Sequence, residues 1–361
     1  MLSLRCSRHA HLLSIGLIVV LLVAACGGGP GGSPADSASP ATAPSVGASP
    51  AVAPSTEPLK LTVGLGYIPS VQFAPFYLAQ QAGYYAEAGL IVEFQNKIDP
   101  DLINLVGQGA IDVGIGDGTS VIPAVSQGIP IRYVATIYGQ FPNVIFAKTS
   151  SGITSPADLA GRKIGTPGRY GSGWIMLQAL LESAGLTPED VEIVEYPDFT
   201  QRAAVEQGAV DAATGFANNE PVQLELSGTE VVVLRIDEVT PLPGPGLIAG
   251  VATLGARGDA IAAFVKATLR AMGEITANPQ IGLDAAIAAV PEIASARDAQ
   301  LAILVATIES WSGPIQAAAG LGAIDRDGWT ASVAYLTRLG LVPNPVTLDD
   351  LVASGFSRTD Y

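Results

Sequence analysis

Residues 61–94 read LTVGLGYIPSVQFAPFYLAQQAGYYAEAGLIVEF. Apolar, β-branched runs at its two ends predict short strands over 59–65 and 90–95. Between them the apolar spacing favours a helix over 73–82, because Pro75 stands in its first turn and a glycine follows its end. A strand, a helix and a strand in this order predict a βαβ unit with parallel strands.

The same alternation of strand-like and helix-like segments runs through the rest of the chain. Further strands are predicted over 132–137, 143–148, 162–166, 191–196 and 231–236, with a helix over 173–184. The Ala-rich tail predicts helices over 261–275, 301–310 and 329–339. The folded part, residues 59–361, is too long for one ordinary domain, so we expect two α/β lobes.

A motif that occurs twice in the sequence supports two similar lobes. The sequence VGQGAIDV at 106–113 returns as VEQGAVDA at 205–212, and each copy is followed by a polar loop, 116–120 and 215–220. Ligands of open α/β sheets bind beyond the carboxyl ends of strands, where both loops are expected. Two facing lobes with such loops would form a ligand cleft. The alternative is that these residues are an ordinary connection between a helix and a strand.

The N-terminal part carries the marks of export and anchoring. Arg5 and Arg8 precede an apolar run over 12–25, which has the length of a signal-peptide core and is shorter than the ~20 residues of a spanning helix. The run ends in Leu-Val-Ala-Ala-Cys26, which resembles a bacterial lipobox. We therefore expect a signal peptide over 1–25 and a lipidated Cys26, with a signal peptide followed by an incidental cysteine as the alternative.

Residues 26–58 form the expected linker, since Gly, Ser, Ala and Pro dominate a segment with two charged residues and no aromatic ring. The linker would hold the folded body at the extracytoplasmic face of the cell membrane through the lipid alone. A formal net charge of −15 argues against nucleic acid and anionic lipid as partners of the protein surface.

Histidine and cysteine are almost absent, which limits the chemistry of the chain. Its two histidines, His9 and His11, and its second cysteine, Cys6, all lie in the expected signal peptide. The processed chain would therefore lack a Ser-His-Asp triad, a cysteine nucleophile, a His or Cys zinc site and a c-type haem attachment. We expect a binding protein with no catalytic residues, no metal and no cofactor, rather than an enzyme.

Several motifs are shared with a known superfamily. They are Tyr-Ile-Pro-Ser-Val-Gln-Phe-Ala-Pro-Phe-Tyr at 67–77, the repeated Gln-Gly-x-x-Asp, Leu-Ala-Gly-Arg-Lys-Ile-Gly at 159–165, and a tail with Trp311 and Trp329. Over about residues 60–350 the chain resembles the solute-binding proteins for thiamine-pyrimidine precursors, sulfonates and nitrate. The resemblance implies a type II periplasmic-binding-protein fold that closes on a small-molecule ligand. It also implies the permease and ATPase subunits of an ABC importer as partners.

The resemblance further implies how the lobes divide. Lobe 1 is expected to comprise 59–148 and 250–361, and lobe 2 is expected to comprise 152–246, with hinge crossings near 148–152 and 246–250. The same superfamily includes fungal thiamine-pyrimidine synthases, which consume their own histidine and bind iron through a cysteine cluster. The processed chain would have neither feature, and this departure argues against an enzyme of that kind.

The candidate ligand contacts are aromatic, amide and carboxylate side chains in the expected loops and at strand ends. Rings can stack on a flat ligand, amides can pair with a heteroaromatic edge, and carboxylates can accept from hydroxyl or amino groups. Arg169 adds one basic group, in a Gly-rich loop that opens a helix. The candidates are Tyr67, Gln72, Phe73, Asp117, Thr119, Tyr138, Gln140, Asn143, Arg169, Tyr170, Ser172, Trp174, Phe216, Asn218, Asn219 and Glu220.

A neutral, flat heterocycle fits this set better than a sulfonate or nitrate, which would require more cationic groups. Two vitamins qualify: riboflavin, and a thiamine pyrimidine precursor of the hydroxymethyl-aminopyrimidine type. The stretch 67–77 looks closer to riboflavin-importer binding proteins, because the pyrimidine binders carry Trp-x-Pro-Asn there. Riboflavin is the first expectation, and a surface lipoprotein that docks another protein through the cleft face is a further alternative.

Overall fold

The computed structural model describes residues 57–96 and 101–356, so the predicted signal peptide, Cys26 and nearly all of the linker lie outside the described residues. The strands are β1 (Leu59–Gly64), β2 (Leu90–Gln95), β3 (Val113–Gly116), β4 (Ile131–Thr136), β5 (Asn143–Lys148), β6 (Lys163–Thr166), β7 (Glu192–Glu195), β8 (Ala212–Phe216), β9 (Val231–Arg235) and β10 (Gly246–Gly250). The helices are α1 (Ala74–Gln81), α2 (Tyr84–Glu87), α3 (Leu102–Gly107), α4 (Gly118–Ser126), α5 (Gly171–Ser183), α6 (Gln201–Gln207), α7 (Glu220–Leu226), α8 (Val251–Ala277), α9 (Pro279–Ala289), α10 (Arg297–Trp311), α11 (Pro314–Ala319), α12 (Arg326–Arg338) and α13 (Leu348–Leu351).

These strands form two five-stranded sheets of the same design. The first sheet has the order β2-β1-β3-β10-β4, and the second has the order β7-β6-β8-β5-β9. In the first, β1 pairs in parallel with both neighbours and β10 runs antiparallel; in the second, β6 and β5 take these two roles. Two α/β lobes, each built on one such sheet, confirm the predicted architecture.

The two copies of the repeated motif lie at equivalent positions in the two sheets. Asp112, just before β3, accepts a hydrogen bond from the backbone N–H of Thr62 in β1 at 2.9 Å. Asp211, just before β8, accepts one from the backbone N–H of Lys163 in β6 at 2.9 Å. Each carboxylate ties two neighbouring strands together, which is the structural reason for the repeat. The polar loops after β3 and β8 therefore leave their sheets at equivalent edges.

The pairing of one strand differs from the predicted lobe boundary. Asn143–Lys148, expected to end lobe 1, pairs with β8 and β9 of the second sheet. Five of its six residues are buried, so the strand needs a neighbour on each side, and the second sheet provides both. The chain therefore passes between the sheets at 137–142, the first crossing, and 236–245, the second crossing. The predicted crossings near 148–152 and 246–250 are corrected accordingly.

Helices of the C-terminal tail pack against the first sheet. On α8, Phe264 stacks on Tyr85 with ring centres 5.1 Å apart and on Phe76 at 6.3 Å. On α12, the buried Trp329 meets the buried ring of Tyr133 of β4 edge-on at 4.8 Å. The tail helices thus complete the hydrophobic core of the first sheet. In the described part of the chain, every helix is too short or too polar to cross a bilayer.

Candidate functional site

Polar loops follow the strands of both sheets at their carboxyl ends. In the first sheet Tyr67 follows β1 and Asp117 follows β3. In the second sheet Tyr170 follows β6, while Phe216 is the last residue of β8 and residues 217–219 follow it. Burial raises the pKa of Tyr67, and the negative charge of Glu220 raises it further. Tyr67 and Glu220 stand after strands of different sheets, and electrostatic interactions weaken with distance. Geometry brings the two loops together as well: Tyr67 and Val222 of α7 pack against the same hydrophobic cluster, and α10 packs against both α7 and the 71–73 turn. We call the space between the loops of Tyr67 and Glu220 the cleft.

Asp117 fixes the start of α4. Its Oδ1 accepts hydrogen bonds from the Thr119 hydroxyl at 2.7 Å and from the Ser120 backbone N–H at 3.0 Å. These donors favour the charged carboxylate, but burial outweighs them and raises the pKa of Asp117. The next backbone N–H, that of Gly118, donates to Pro243 O at 2.9 Å. These bonds hold the loop after β3 against the second crossing. The Thr119 hydroxyl donates its hydrogen to Asp117 in the same loop.

Glu220 has the corresponding place at the start of α7. Its Oε2 accepts from the backbone N–H of Phe216 at 2.7 Å, and its Oε1 accepts from Asn219 Nδ2 at 2.9 Å. Asn219 in turn accepts from Gln223 Nε2 at 2.8 Å. Burial raises the pKa of Glu220, although the hydrogen bonds oppose the rise. The carboxylate is held in one orientation, and the Asn219 amide supports it instead of standing free.

A buried polar cluster lies behind the Gly-rich loop of the second sheet. Asn143 donates its Nδ2–H to Ser172 Oγ at 3.1 Å, and the Thr214 hydroxyl donates to Thr166 Oγ1 at 3.2 Å. Gln201 donates to Thr214 O at 3.3 Å, while its buried Oε1 has no hydrogen-bond partner among the described residues. A buried acceptor without a donor is costly, so this oxygen is suited to a donor from water or a ligand.

Asn218 lies in a contact between the second sheet and the tail. Its side chain is fully buried, and Nδ2 donates to Thr307 Oγ1 of α10 at 2.8 Å, while the Thr307 hydroxyl donates to Ile303 O at 2.7 Å. Tyr138 of the first crossing lies beside both: burial raises its pKa, and interactions with the Asn218 and Thr307 side chains oppose the rise. We call Asn218, Thr307 and Tyr138 the latch. Asn218 and Tyr138, predicted as ligand contacts, are placed here between the lobes.

Two further predicted contacts are engaged by other parts of the protein. Gln140 donates to Ser312 O at 3.0 Å, which ties the first crossing to the end of α10. Phe73 is buried in the core, with its ring 6.4 Å from that of Phe76. Gln72, which precedes Phe73, remains partly exposed. Gln140 also stays partly exposed, with its amide donated to Ser312 O.

Exposed rings do stand at the strand ends of the second sheet. Tyr170 is 65% exposed and Phe216 is 36% exposed. Arg169 forms an ion pair with Glu195 at 3.6 Å, and its guanidinium lies 5.4 Å from the ring centre of Trp174. The basic group predicted for the site is therefore already engaged by a carboxylate and an aromatic face.

Sequence reasoning missed the loop after β7. Phe199 is 47% exposed and has a φ of 59°, a left-handed backbone that is rare for a bulky side chain. Gln201 follows two residues later with its unpaired oxygen. Both stand at the carboxyl end of a parallel strand, so the rule that selected the loops after β6 and β8 would have found them. Thr166 and Thr214 could have been found in the same way, as polar residues near the ends of their strands.

Comparison with known proteins places this geometry in a family. The family model described as NMT1/THI5 like matches residues 70–281. The chain is 34% identical over 351 residues to the riboflavin-binding protein RibY of Chloroflexus aurantiacus, and the alignment covers 96% of this chain and 97% of that protein. It is 28% identical over 304 residues to the formylaminopyrimidine-binding protein of Halalkalibacterium halodurans, covering 81% and 89%.

An enzyme and a solved structure also match. The 4-amino-5-hydroxymethyl-2-methylpyrimidine phosphate synthase THI13 of Saccharomyces cerevisiae is 31% identical over 193 residues, which are 51% of this chain and 56% of that protein. The periplasmic aliphatic sulphonate-binding protein SsuA of Escherichia coli superposes with a TM-score of 0.66 at 18% identity, covering 83% and 99%, and this likeness shows the fold alone. The chain therefore belongs to the NMT1/THI5-like family.

Proposed function

We propose that this protein captures riboflavin as the lipid-anchored, extracytoplasmic binding subunit of an ABC importer, and that it is not an enzyme. The observation that carries the proposal is the 34% identity to a riboflavin-binding protein along nearly the whole of both chains. The cleft offers chemistry that suits a flavin. The Tyr67 ring can stack on the flat ring system, and the Glu220 carboxylate can accept from hydroxyl groups of the tail.

Binding would close the two lobes about the two crossings. A ligand that touches the Tyr67 loop and the Glu220 loop together makes contacts that an open form loses, so it shifts the population towards the closed form. We propose that lobe 1 consists of the first sheet with α1–α4 and α8–α13, and that lobe 2 consists of the second sheet with α5–α7. The permease and ATPase subunits would receive the ligand from this closed form.

The second candidate ligand is a thiamine pyrimidine precursor. It is favoured by the 28% identity to a formylaminopyrimidine-binding protein. A small aminopyrimidine could use the same Tyr67 ring and the same carboxylate, but it would fill less of the cleft than a flavin. A sulfonate is the weakest candidate, because Arg169 is paired with Glu195 at 3.6 Å.

Riboflavin is expected to raise the melting temperature of the protein and to lose fluorescence on binding. Stabilisation by mass action amounts to ~2.7 kcal/mol at a hundredfold excess of ligand over its dissociation constant. Tyr67→Ala should weaken binding by about 1–3 kcal/mol, the range for stacking of a base on an aromatic ring. Tyr84→Ala is the matched control, because Tyr84 lies on α2 and packs against Arg270.

The same thermal-shift assay separates the candidate ligands when riboflavin, hydroxymethyl-aminopyrimidine and taurine are compared. A shift with the aminopyrimidine and none with riboflavin at high micromolar concentration would replace riboflavin by the second candidate. Equal calorimetric affinity of the wild type and Tyr67→Ala would remove Tyr67 from the site without deciding the ligand.

The anchor is tested separately from the ligand. Cys26→Ala should yield a protein that partitions into the aqueous phase of a detergent extraction, because the thiol that would carry the lipid is gone. The wild type should partition into the detergent phase. Equal membrane retention of both proteins would show that the attachment does not depend on Cys26.

A further inference from the structure

Glu220 is a fixed carboxylate on the cleft. Each of its two oxygens accepts a hydrogen bond, from Phe216 N–H at 2.7 Å and from Asn219 Nδ2 at 2.9 Å. Donors on both oxygens favour the ionised form of a carboxyl group, although burial is the larger effect and raises the pKa of Glu220. The backbone approaches closely here: a Cβ atom at Gly215 would lie 2.8 Å from Glu220 Oε2. The negative charge therefore has a defined position at the end of β8.

The cations near Glu220 are engaged elsewhere. Arg202 acts on Glu220 electrostatically but pairs with Glu206 at 3.1 Å. Arg169, in the loop after β6, pairs with Glu195 at 3.6 Å. Across the cleft stands Tyr67, a neutral phenol whose ionisation Glu220 opposes. Within the part of the chain that the structure describes, Glu220 forms no salt bridge, and Arg202 acts on it only as a more distant charge. A ligand between these loops thus meets a carboxylate that is not paired with a cation of the described chain.

We infer that Glu220 makes the cleft selective for the unphosphorylated form of its ligand, by accepting from a neutral hydroxyl group and repelling a phosphate. A hydroxyl donates its hydrogen to the carboxylate, whereas a phosphate monoester brings a charge of about −1.5 to −2 and oxygens that are acceptors. Like charges brought together in a partly buried site discriminate strongly between partners. The inference rests on the proposed function in one respect, that the ligand is a hydroxylated vitamin or vitamin precursor.

The test compares each ligand with its phosphate ester by calorimetry at pH 8. The wild type should bind riboflavin at least about tenfold more tightly than flavin mononucleotide, since one like-charge contact is typically worth that much. Glu220→Gln keeps an oxygen acceptor for the Phe216 N–H and removes the charge, so the ratio of the two affinities should shrink by about tenfold. Glu225→Gln, an exposed neighbour on α7, removes the same charge and should leave the ratio unchanged.

The outcomes separate this inference from the proposed function. If riboflavin does not bind but hydroxymethyl-aminopyrimidine binds more tightly than its phosphate ester, riboflavin is rejected as the ligand and the inferred role of Glu220 is supported. If the wild type binds riboflavin and flavin mononucleotide equally, the inference is overturned while the proposed function stands. The wild-type ratio requires no variant, so the inference stays testable even if Glu220→Gln folds poorly.

Discussion

Replacing Gly244 with alanine is expected to lower the free energy of unfolding by about 2–4 kcal/mol, because no side chain fits where the two crossings touch. A Cβ atom at Gly244 would lie 2.2 Å from Tyr138 O and 3.2 Å from Gln140 O, both on the first crossing. Backbone oxygens cannot swing aside as the end of a long side chain can. The second crossing is also held from its other side, since the Tyr133 hydroxyl donates to Gly244 O at 3.0 Å.

Urea unfolding followed by circular dichroism measures this effect. Gly255→Ala is the matched control, because Gly255 is exposed on α8 and a Cβ atom there would have no neighbour within 4 Å. That change should be neutral or stabilise by up to ~1 kcal/mol, since alanine is the better helix former. Equal unfolding midpoints for Gly244→Ala and the wild type would contradict the close contact between the crossings.

The first βαβ unit could be predicted from the sequence because its contacts are local. The alternation of apolar residues and the placement of Pro75 concern neighbours within one or two turns, and β1, α1 and β2 lie where these signals put them. The repeat around Asp112 and Asp211 was also readable, although its cause was not. Each carboxylate bonds a strand that lies about fifty residues earlier, and a repeat in sequence does not state such a partner.

The lobe boundary and the latch could not be predicted, because both depend on distant partners. Asn143–Lys148 follows β4 closely in the chain, and only its pairing with β8 and β9 places it in the second sheet. Asn218 belongs to a polar loop of the type that lines clefts, yet its hydrogen-bond partner Thr307 lies 89 residues away. The strand-end rule finds the loops that surround a site, but it does not determine which side chains of a loop point inwards.

The Asn218→Asp variant is expected to lose about 3 kcal/mol of stability at pH 8 and much less near pH 4, because it changes the latch without changing its shape. In the wild type the Nδ2–H donates to Thr307 Oγ1 at 2.8 Å, and the Thr307 hydrogen is used for Ile303 O. An ionised carboxylate at this fully buried position has no hydrogen to donate and faces the oxygen of Thr307, whose own hydrogen is donated to Ile303 O. A protonated carboxyl group restores a donor for Thr307.

The sign of the pH dependence follows from burial. Burial should raise the pKa of the new carboxyl group in the folded state above the ~3.9 of the unfolded chain. Its contribution is then complete below about pH 4 and is lost as the pH rises through the folded-state pKa. Urea unfolding of the wild type, Asn218→Asp and the exposed control Asn104→Asp at several pH values measures this. A constant loss from pH 4 to pH 8 would mean that the amide of Asn218 reaches solvent and that the contact with α10 does not bury it.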